Sequence, residues 1–124
     1  MVRKKGRFLS RDSMIQGRFT VERVCFTFDL YEGAEEEYKK RHDEIWPELV
    51  EAIKSSGFEN YSLFRRGTQV VAYAEVHPDL PAALAKLGEF DVNARWAEWF
   101  KDLIVNLADD HGRLKTFQEV WHLD

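Results

Sequence analysis

The sequence contains a single cysteine, Cys25, and only three prolines among its 124 residues. One cysteine cannot form an internal disulfide, so the composition favours a reducing, cytoplasmic location. No apolar run approaches the roughly 20 residues that a membrane-spanning helix requires. The chain also lacks a CxxC pair and an HExxH motif, and its four histidines show no close ligand spacing, so no metal site is predicted.

Charge is distributed unevenly along the chain. Residues 1–20 hold six basic residues and one acid, whereas the remainder holds 12 basic and 21 acidic residues. We therefore expect a flexible basic leader over residues 1–20 and an acidic domain over residues 21–124. The acidity argues against a nucleic-acid-binding core, while a nucleic-acid-binding arm or a targeting peptide are alternatives for the leader. The chain is 44% apolar and 14% aromatic, which is enough for a compact core.

Hydrophobic periodicity predicts strands and helices in a regular order. Alternating apolar residues over 24–30 predict a half-buried strand. A helical pattern follows over 34–55, and Pro47 either kinks it or divides it into two helices. The remaining predicted elements are a hairpin of strands over 60–66 and 69–76, helices over 81–88 and 93–107, and a last strand over 117–123.

This β-α-β-β-α-β order predicts an α+β fold of the ferredoxin-like type, an antiparallel sheet with its helices on one face. The strands carry large apolar residues toward both faces of that sheet. The second face then needs a cover, and a second copy of the chain provides the simplest one. We therefore predict a homodimer whose sheets pack together.

His42 is the unusual residue of the first predicted helix. It falls on the same apolar face as Tyr38, one turn earlier, so the two side chains are neighbours. An imidazole of ordinary pKa about 6.5, set between a phenol and aliphatic groups, suits a general acid or base. The alternative, which the pattern by itself favours, is a core histidine whose ring nitrogens find hydrogen-bond partners.

Aromatic residues and one acid leave further choices open. Trp96, Trp99 and Tyr61 offer faces that stack on sugar rings, but core packing also explains them, and for Trp99 core or a dimer interface is favoured. Glu75 lies late in an otherwise apolar strand. Burying it without a partner would be costly, so it is either solvent-facing or a polar group in a pocket.

Four segments of the chain resemble the L-rhamnose mutarotase family. The first, EYKKRHDEIWPEL over residues 37–49, carries a specific Tyr-x-x-x-His-x-x-x-Trp-Pro-Glu signature. The others are GFENYSLF over 57–64, VNARW over 92–96 and EVWHL over 119–123. The similarity covers residues 21–124 and leaves out the leader.

The resemblance implies a dimeric α/β barrel built from ferredoxin-like protomers. It also implies interconversion of the α and β anomers of L-rhamnose, a monosaccharide substrate, with neither a metal nor an organic cofactor. The family's acid–base histidine falls on His42, and its substrate-contacting residues fall on Tyr38, Tyr61 and Trp96. Ala97 stands where the family carries a second tryptophan, and the sugar preference, including L-fucose or L-lyxose, stays open.

Three other functions fit part of these observations. A cofactor-free monooxygenase and a non-catalytic sugar-binding module are both compatible with the same dimeric scaffold. A nucleic-acid binder acting through residues 1–20 is the third.

Overall fold

A computed structural model describes residues 20–124, which form a mixed α+β fold. An antiparallel sheet carries four helices, as the sequence predicts. The strands are β1 (Glu22–Leu30), β2 (Phe58–Arg66), β3 (Gln69–Val76), β4 (Ile104–Asn106) and β5 (Lys115–Phe117). The helices are α1 (Glu35–Asp43), α2 (Pro47–Ser55), α3 (Leu80–Leu87) and α4 (Asp91–Phe100).

The pairing of β1 with β3 forms the centre of the sheet. The two strands run antiparallel in unbroken register from Glu22 opposite Val76 to Asp29 opposite Gln69. Every second residue of each strand is buried on the helix side. The inward residues of β1 are Val24, Phe26, Phe28 and Leu30, and those of β3 are Val70, Ala72, Ala74 and Val76.

The strand order is β2-β3-β1-β4, with β5 also paired to β1. This is the order of a split βαβ unit, because β3 lies between β2 and β1. Helices α1 and α2 connect β1 to β2, and helices α3 and α4 connect β3 to β4. All four helices contribute to one apolar cluster over the same sheet face, through Tyr38 of α1, Ile53 of α2, Ala83 of α3 and Phe100 of α4.

Pro47 divides the first helical segment into two helices, the second of the two arrangements that its position predicts. Trp46 precedes it with φ −70° and ψ 130°, the extended geometry that a following proline favours. Pro47 itself is the first residue of α2, where a missing N–H costs nothing. The break places Trp46 in a corner between α1 and α2.

The prediction of a helix as far as residue 107 is wrong. Helix α4 ends at Phe100, and after a turn the chain forms β4, which pairs with β1 at Asp29 and Leu30. The apolar residues Leu103 and Ile104 continue a helical spacing. They nevertheless lie in the segment that hydrogen-bonds to β1 and the residue after it. The free edge of β1 offers backbone donors and acceptors that local periodicity cannot reveal.

The prediction of a last strand over 117–123 is also wrong. Strand β5 is Lys115–Phe117, paired with β1 at Cys25 to Thr27. Residues 118–124 have no regular structure and expose three large apolar side chains: Val120 at 90%, Trp121 at 75% and Leu123 at 74%.

Of the predicted leader, residues 1–19 lie outside the described residues. None of the helices within 20–124 is long and apolar enough to cross a membrane.

Gly57 closes α2 and leads the chain into β2. Its φ is +107°, and a Cβ built there would meet the carbonyl oxygen of His77 at 2.3 Å. Gly67, in the turn between β2 and β3, has φ +59° and no atom within 4 Å of such a Cβ. A side chain at Gly67 would therefore meet only the strain of a left-handed backbone, whereas one at Gly57 would meet that strain and a steric clash.

We predict that Gly57→Ala lowers the free energy of unfolding clearly more than Gly67→Ala does. Gly67→Ala should cost about 1–2 kcal/mol, the penalty of the left-handed conformation alone. In Gly57→Ala the new methyl group must also displace the His77 backbone, so the loss of stability should be larger. Urea unfolding followed by circular dichroism measures both variants against the native chain. Equal losses would contradict the close approach seen at Gly57.

Candidate active site

Helix α1 places His42 directly over Tyr38. The two residues are four apart, one helical turn, and their ring centroids lie 4.5 Å from each other. Tyr38 is buried in the core beneath the helix, whereas His42 is only partly buried. The imidazole therefore lies at the boundary between the apolar core and the outer part of the site.

The backbone carbonyl of Tyr38 fixes the tautomer of His42. Nδ1 of His42 lies 3.1 Å from this oxygen. Because a carbonyl only accepts, Nδ1 carries the proton in the neutral ring, and Nε2 keeps an available lone pair. A neutral histidine in this tautomer can accept a proton at Nε2 without leaving its position.

Burial sets the protonation state of this ring. Loss of hydration lowers the pKa of His42 below its ordinary 6.5, while the bond to the Tyr38 carbonyl and the nearby Asp43 carboxylate act more weakly in the opposite direction. The imidazole is therefore neutral at neutral pH. In this form it acts as a base, and after accepting a proton it is a stronger acid than an ordinary imidazolium.

Helix α4 supplies an aromatic wall beside the imidazole. The centroid of His42 lies 5.4 Å from Trp96 and 5.1 Å from Phe100, with both rings edge-on to it. Trp96 and Phe100 are stacked on each other at 4.4 Å. Phe100 also touches Tyr38 edge-on at 5.7 Å, so the wall encloses the histidine on its apolar side.

Two more tryptophans extend this wall. Trp46 meets Trp96 edge-on at 5.0 Å and stacks almost parallel on Trp99 at 5.3 Å, with 10° between the planes. Ala97 is exposed, so it adds no ring to the site. The tryptophan neighbours of Trp96 are thus Trp46 and Trp99, one from the break between α1 and α2 and the other from α4.

Arg41 ties helix α1 to the end of α4. Its guanidinium donates to the carboxylate of Glu37 at 2.7 Å and to the backbone carbonyl of Trp99 at 2.6 Å, and it contacts Asp102 at 3.3 Å. The same group lies over the Trp99 ring at 4.7 Å. These contacts hold the two site-forming helices together next to His42.

Tyr61 reaches the site from strand β2. Its ring stacks on the buried Phe58 at 5.7 Å, and its phenol is close enough to Tyr38 for the two hydroxyls to interact electrostatically. Although 40% of Tyr61 is exposed, burial around its hydroxyl raises its pKa to about 12. Burial, with Tyr61 as a lesser cause, also raises the pKa of Tyr38. Both phenols therefore keep their protons at neutral pH and are able to donate hydrogen bonds.

The structure brings the four sequence-predicted residues to one region. Tyr38, His42 and Trp96 form a chain of ring contacts. Tyr61 stacks on Phe58 and interacts with Tyr38 only electrostatically. Phe100 is not among the predicted site residues, although it contacts both Tyr38 and His42. Its position four residues after Trp96, on the same face of a helix, is the signal that would have identified it.

No group of three or more His, Cys, Asp or Glu side chains within residues 20–124 is placed to hold a metal ion. The prediction concerning metals and cofactors stays a prediction. What the described residues do offer is one neutral imidazole, two phenols and an aromatic wall.

The chain is thus a small α+β protein whose candidate site combines a partly buried imidazole, two phenols and stacked indoles. These groups have the chemistry for acid–base work on an uncharged, ring-shaped ligand. The comparisons with known proteins are more specific. The model of the L-rhamnose mutarotase family matches residues 23–123. The chain belongs to this family.

Individual relatives agree with the family match. An L-rhamnose mutarotase of Oceanobacillus iheyensis is 32% identical over 106 residues, which cover 84% of this chain and all of the relative. One of Lactiplantibacillus plantarum is 39% identical over 97 residues, covering 77% of this chain and 91% of the relative. The crystal structure of an L-rhamnose mutarotase from Formosa agariphila superposes with a TM-score of 0.67 at 25% identity, covering 83% of this chain and 99% of that one.

We predict that His42 titrates below 6.5 and carries its neutral proton on Nδ1. Long-range proton–nitrogen NMR of the imidazole rings resolves both properties across a pH series. In Tyr38→Phe the backbone carbonyl remains, so the Nδ1–H tautomer should persist. A neutral ring protonated on Nε2, or a midpoint at or above 6.5, would contradict the geometry and burial described here.

Proposed function

We propose that this protein interconverts the α and β anomers of L-rhamnose, with His42 as the proton-transfer group. The observation that carries the proposal is the unprotonated Nε2 of a neutral imidazole that lies against aromatic rings. Membership of the mutarotase family supports the choice of reaction and of sugar.

Mutarotation opens the pyranose ring and closes it on the other face of the carbonyl carbon. Nε2 of His42 takes the proton from the hydroxyl O1, the bond between C1 and the ring oxygen O5 breaks, and C1=O1 forms. The ring oxygen then receives a proton. Because O1 and O5 are bonded to the same carbon, one nitrogen can take the proton from the first and deliver it to the second. Rotation about C1–C2 and the reverse steps give the other anomer.

The other site residues bind and orient the sugar in this proposal. Tyr38 and Tyr61 retain their protons, so they donate hydrogen bonds to sugar oxygens and favour negative charge developing on the ring oxygen. Trp96 stacks against the apolar face of the sugar ring and excludes water from that side. The reaction moves one proton and transfers no electrons, so we propose that it proceeds without a metal or an organic cofactor.

We predict that the wild-type protein accelerates exchange between the anomeric proton signals of L-rhamnose in NMR exchange spectroscopy. His42→Ala should lower the accelerated rate by about 10²–10⁴-fold, the usual share of a general acid–base group. His111→Ala, in the exposed loop before β5, is the matched control and should keep the wild-type rate.

Two results would contradict this proposal. Wild-type exchange equal to that of buffer, with L-rhamnose still bound, would identify a sugar-binding module. A fully active His42→Ala protein would leave the histidine with a structural role only. The same assay with L-fucose and L-lyxose measures how far the site discriminates between related sugars.

We also propose a homodimer in which the outer faces of two sheets pack together and close a barrel. Phe64 of β2 is 62% exposed on this face, and Val71 and Tyr73 of β3 are only partly covered. The exposed apolar side chains of residues 118–124 add to the surface that a second copy would cover. A dimer would remove both areas from water.

We predict that the wild-type chain sediments at twice its 14.6 kDa mass and that Phe64→Glu converts it to a monomer. A glutamate buried in the interface would carry an unpaired charge. Leu84→Glu, on the helix layer, is the control and should leave the dimer intact. Analytical ultracentrifugation measures all three; a wild-type monomer, or a dimeric Phe64→Glu, would contradict the proposed interface.

Residues 21–124 are the working domain in this proposal, and residues 1–20 are a leader that takes no part in catalysis. The family match over residues 23–123 supports the boundary. The single cysteine favours a cytoplasmic location. The net negative charge of residues 21–124 argues against a nucleic acid or a membrane surface as the partner of this domain.

A further inference from the structure

Strand β2 contains one residue more than its pairing with β3 accommodates. The register runs from Phe58 opposite Val76 and Glu59 opposite Glu75 directly to Ser62 opposite Tyr73. Asn60 and Tyr61 therefore share a single partner position on β3, that of residue 74. This arrangement is a β-bulge, which interrupts the alternation of side chains along its strand.

The bulge decides which side of the sheet Tyr61 faces. Phe58 is buried on the helix side, so unbroken alternation would direct Tyr61 to the outer face. Beyond the bulge Leu63 lies opposite the buried Ala72 and packs on the core, which places Tyr61, two residues earlier, on the helix side as well. The stacking of Tyr61 on Phe58 agrees with this direction. The extra residue therefore places the Tyr61 ring on the same side of the sheet as Tyr38.

Asn60 supplies the backbone conformation that the bulge needs. Within the described part of the chain it is the one non-glycine residue with positive φ, at +50°. Bulges of this kind usually place glycine at the left-handed position, because a Cβ is disfavoured there. Asparagine tolerates the conformation better than other residues with a side chain, particularly when its amide finds a local partner.

The partner of the Asn60 amide is a carboxylate across the strand. Nδ2 of Asn60 donates to Oε2 of Glu75 at 2.9 Å, and the Tyr73 hydroxyl donates to the same oxygen at 2.8 Å. Glu75 is therefore neither free in solvent nor part of the histidine site. It accepts two hydrogen bonds on the outer side of the sheet and holds the bulge from there.

We propose that Asn60 is a positioning residue for the sugar site. Bonded to Glu75, it holds the bulge that turns Tyr61 toward Tyr38 and His42. The inference rests on the proposed function for its kinetic consequence, but the geometric part stands independently. It makes the direction of one site tyrosine depend on a hydrogen bond formed on the opposite side of the sheet.

The test compares Asn60→Val with Asn60→Gly. Valine disfavours the left-handed backbone and removes the bond to Glu75, so kcat/KM for anomer exchange should fall by about 10–10²-fold, as expected for a displaced site group. Glycine loses the bond but accepts the backbone, so it should recover most of that loss. Arg66→Val introduces the same side chain at the far end of β2 and is the matched control.

A double substitution separates positioning from general destabilisation. If Asn60 acts through Tyr61, Asn60→Val should cause little further loss of kcat/KM in a Tyr61→Ala background, because the group that it positions is already absent. Equal and additive losses in the two backgrounds would overturn the proposal. Glu75→Ala removes the acceptor without changing β2, and it provides the same comparison if Asn60→Val does not fold.

NMR contacts keep the test independent of activity. Nuclear Overhauser contacts between the rings of Tyr61 and Phe58 should disappear in Asn60→Val and persist in Asn60→Gly, while contacts between Phe28 and Val70 persist in both. Wild type without exchange activity but with these changes would refute the proposed function and leave the positioning role intact. Persistence of the Tyr61–Phe58 contacts in Asn60→Val, with wild-type exchange, would refute the positioning role alone.

Discussion

The antiparallel pairing of β1 with β3 is the constraint on which the rest of the structure depends. Its unbroken register assigns each residue of the two strands to the helix side or to the outer side. On the helix side the two alanines Ala72 and Ala74 are fully buried, so no bulky side chain from the middle of β3 separates the helices from the sheet. The helices can therefore bring Tyr38 down onto Phe28, with Phe100 packed against Tyr38 and His42.

Much of the fold and part of the site follow from local sequence. The β1 alternation, the interruption of the helix at Pro47 and the hairpin at Gly67 depend on residues close to one another in the chain, and all three are confirmed. Helical spacing likewise predicts that the Tyr38 and His42 side chains are neighbours, and their rings lie 4.5 Å apart. Their contact with Trp96 needs the tertiary packing of α1 against α4, which the family resemblance supplied and periodicity could not.

The failures have a common physical origin in pairing between distant strands. Residues 101–107 carry a helical spacing but complete the edge of β1. Residues 118–124 alternate like a strand but pair with no strand among residues 20–124. The direction of Tyr61 is a similar case, because strict alternation from Phe58 gives the wrong face. A bulge at Asn60 leaves only a weak local signal, an asparagine within a strand.

The hydrogen bond from His42 to the Tyr38 carbonyl has an evolutionary consequence. In many enzymes the acceptor that orients a histidine is a carboxylate side chain, which a single codon change can remove. Here the acceptor belongs to the peptide backbone, which every amino acid carries. Under the proposed function, substitutions at position 38 can therefore alter how the sugar is held without disturbing the tautomer of the ring. In that case, selection is free to vary binding and proton transfer separately.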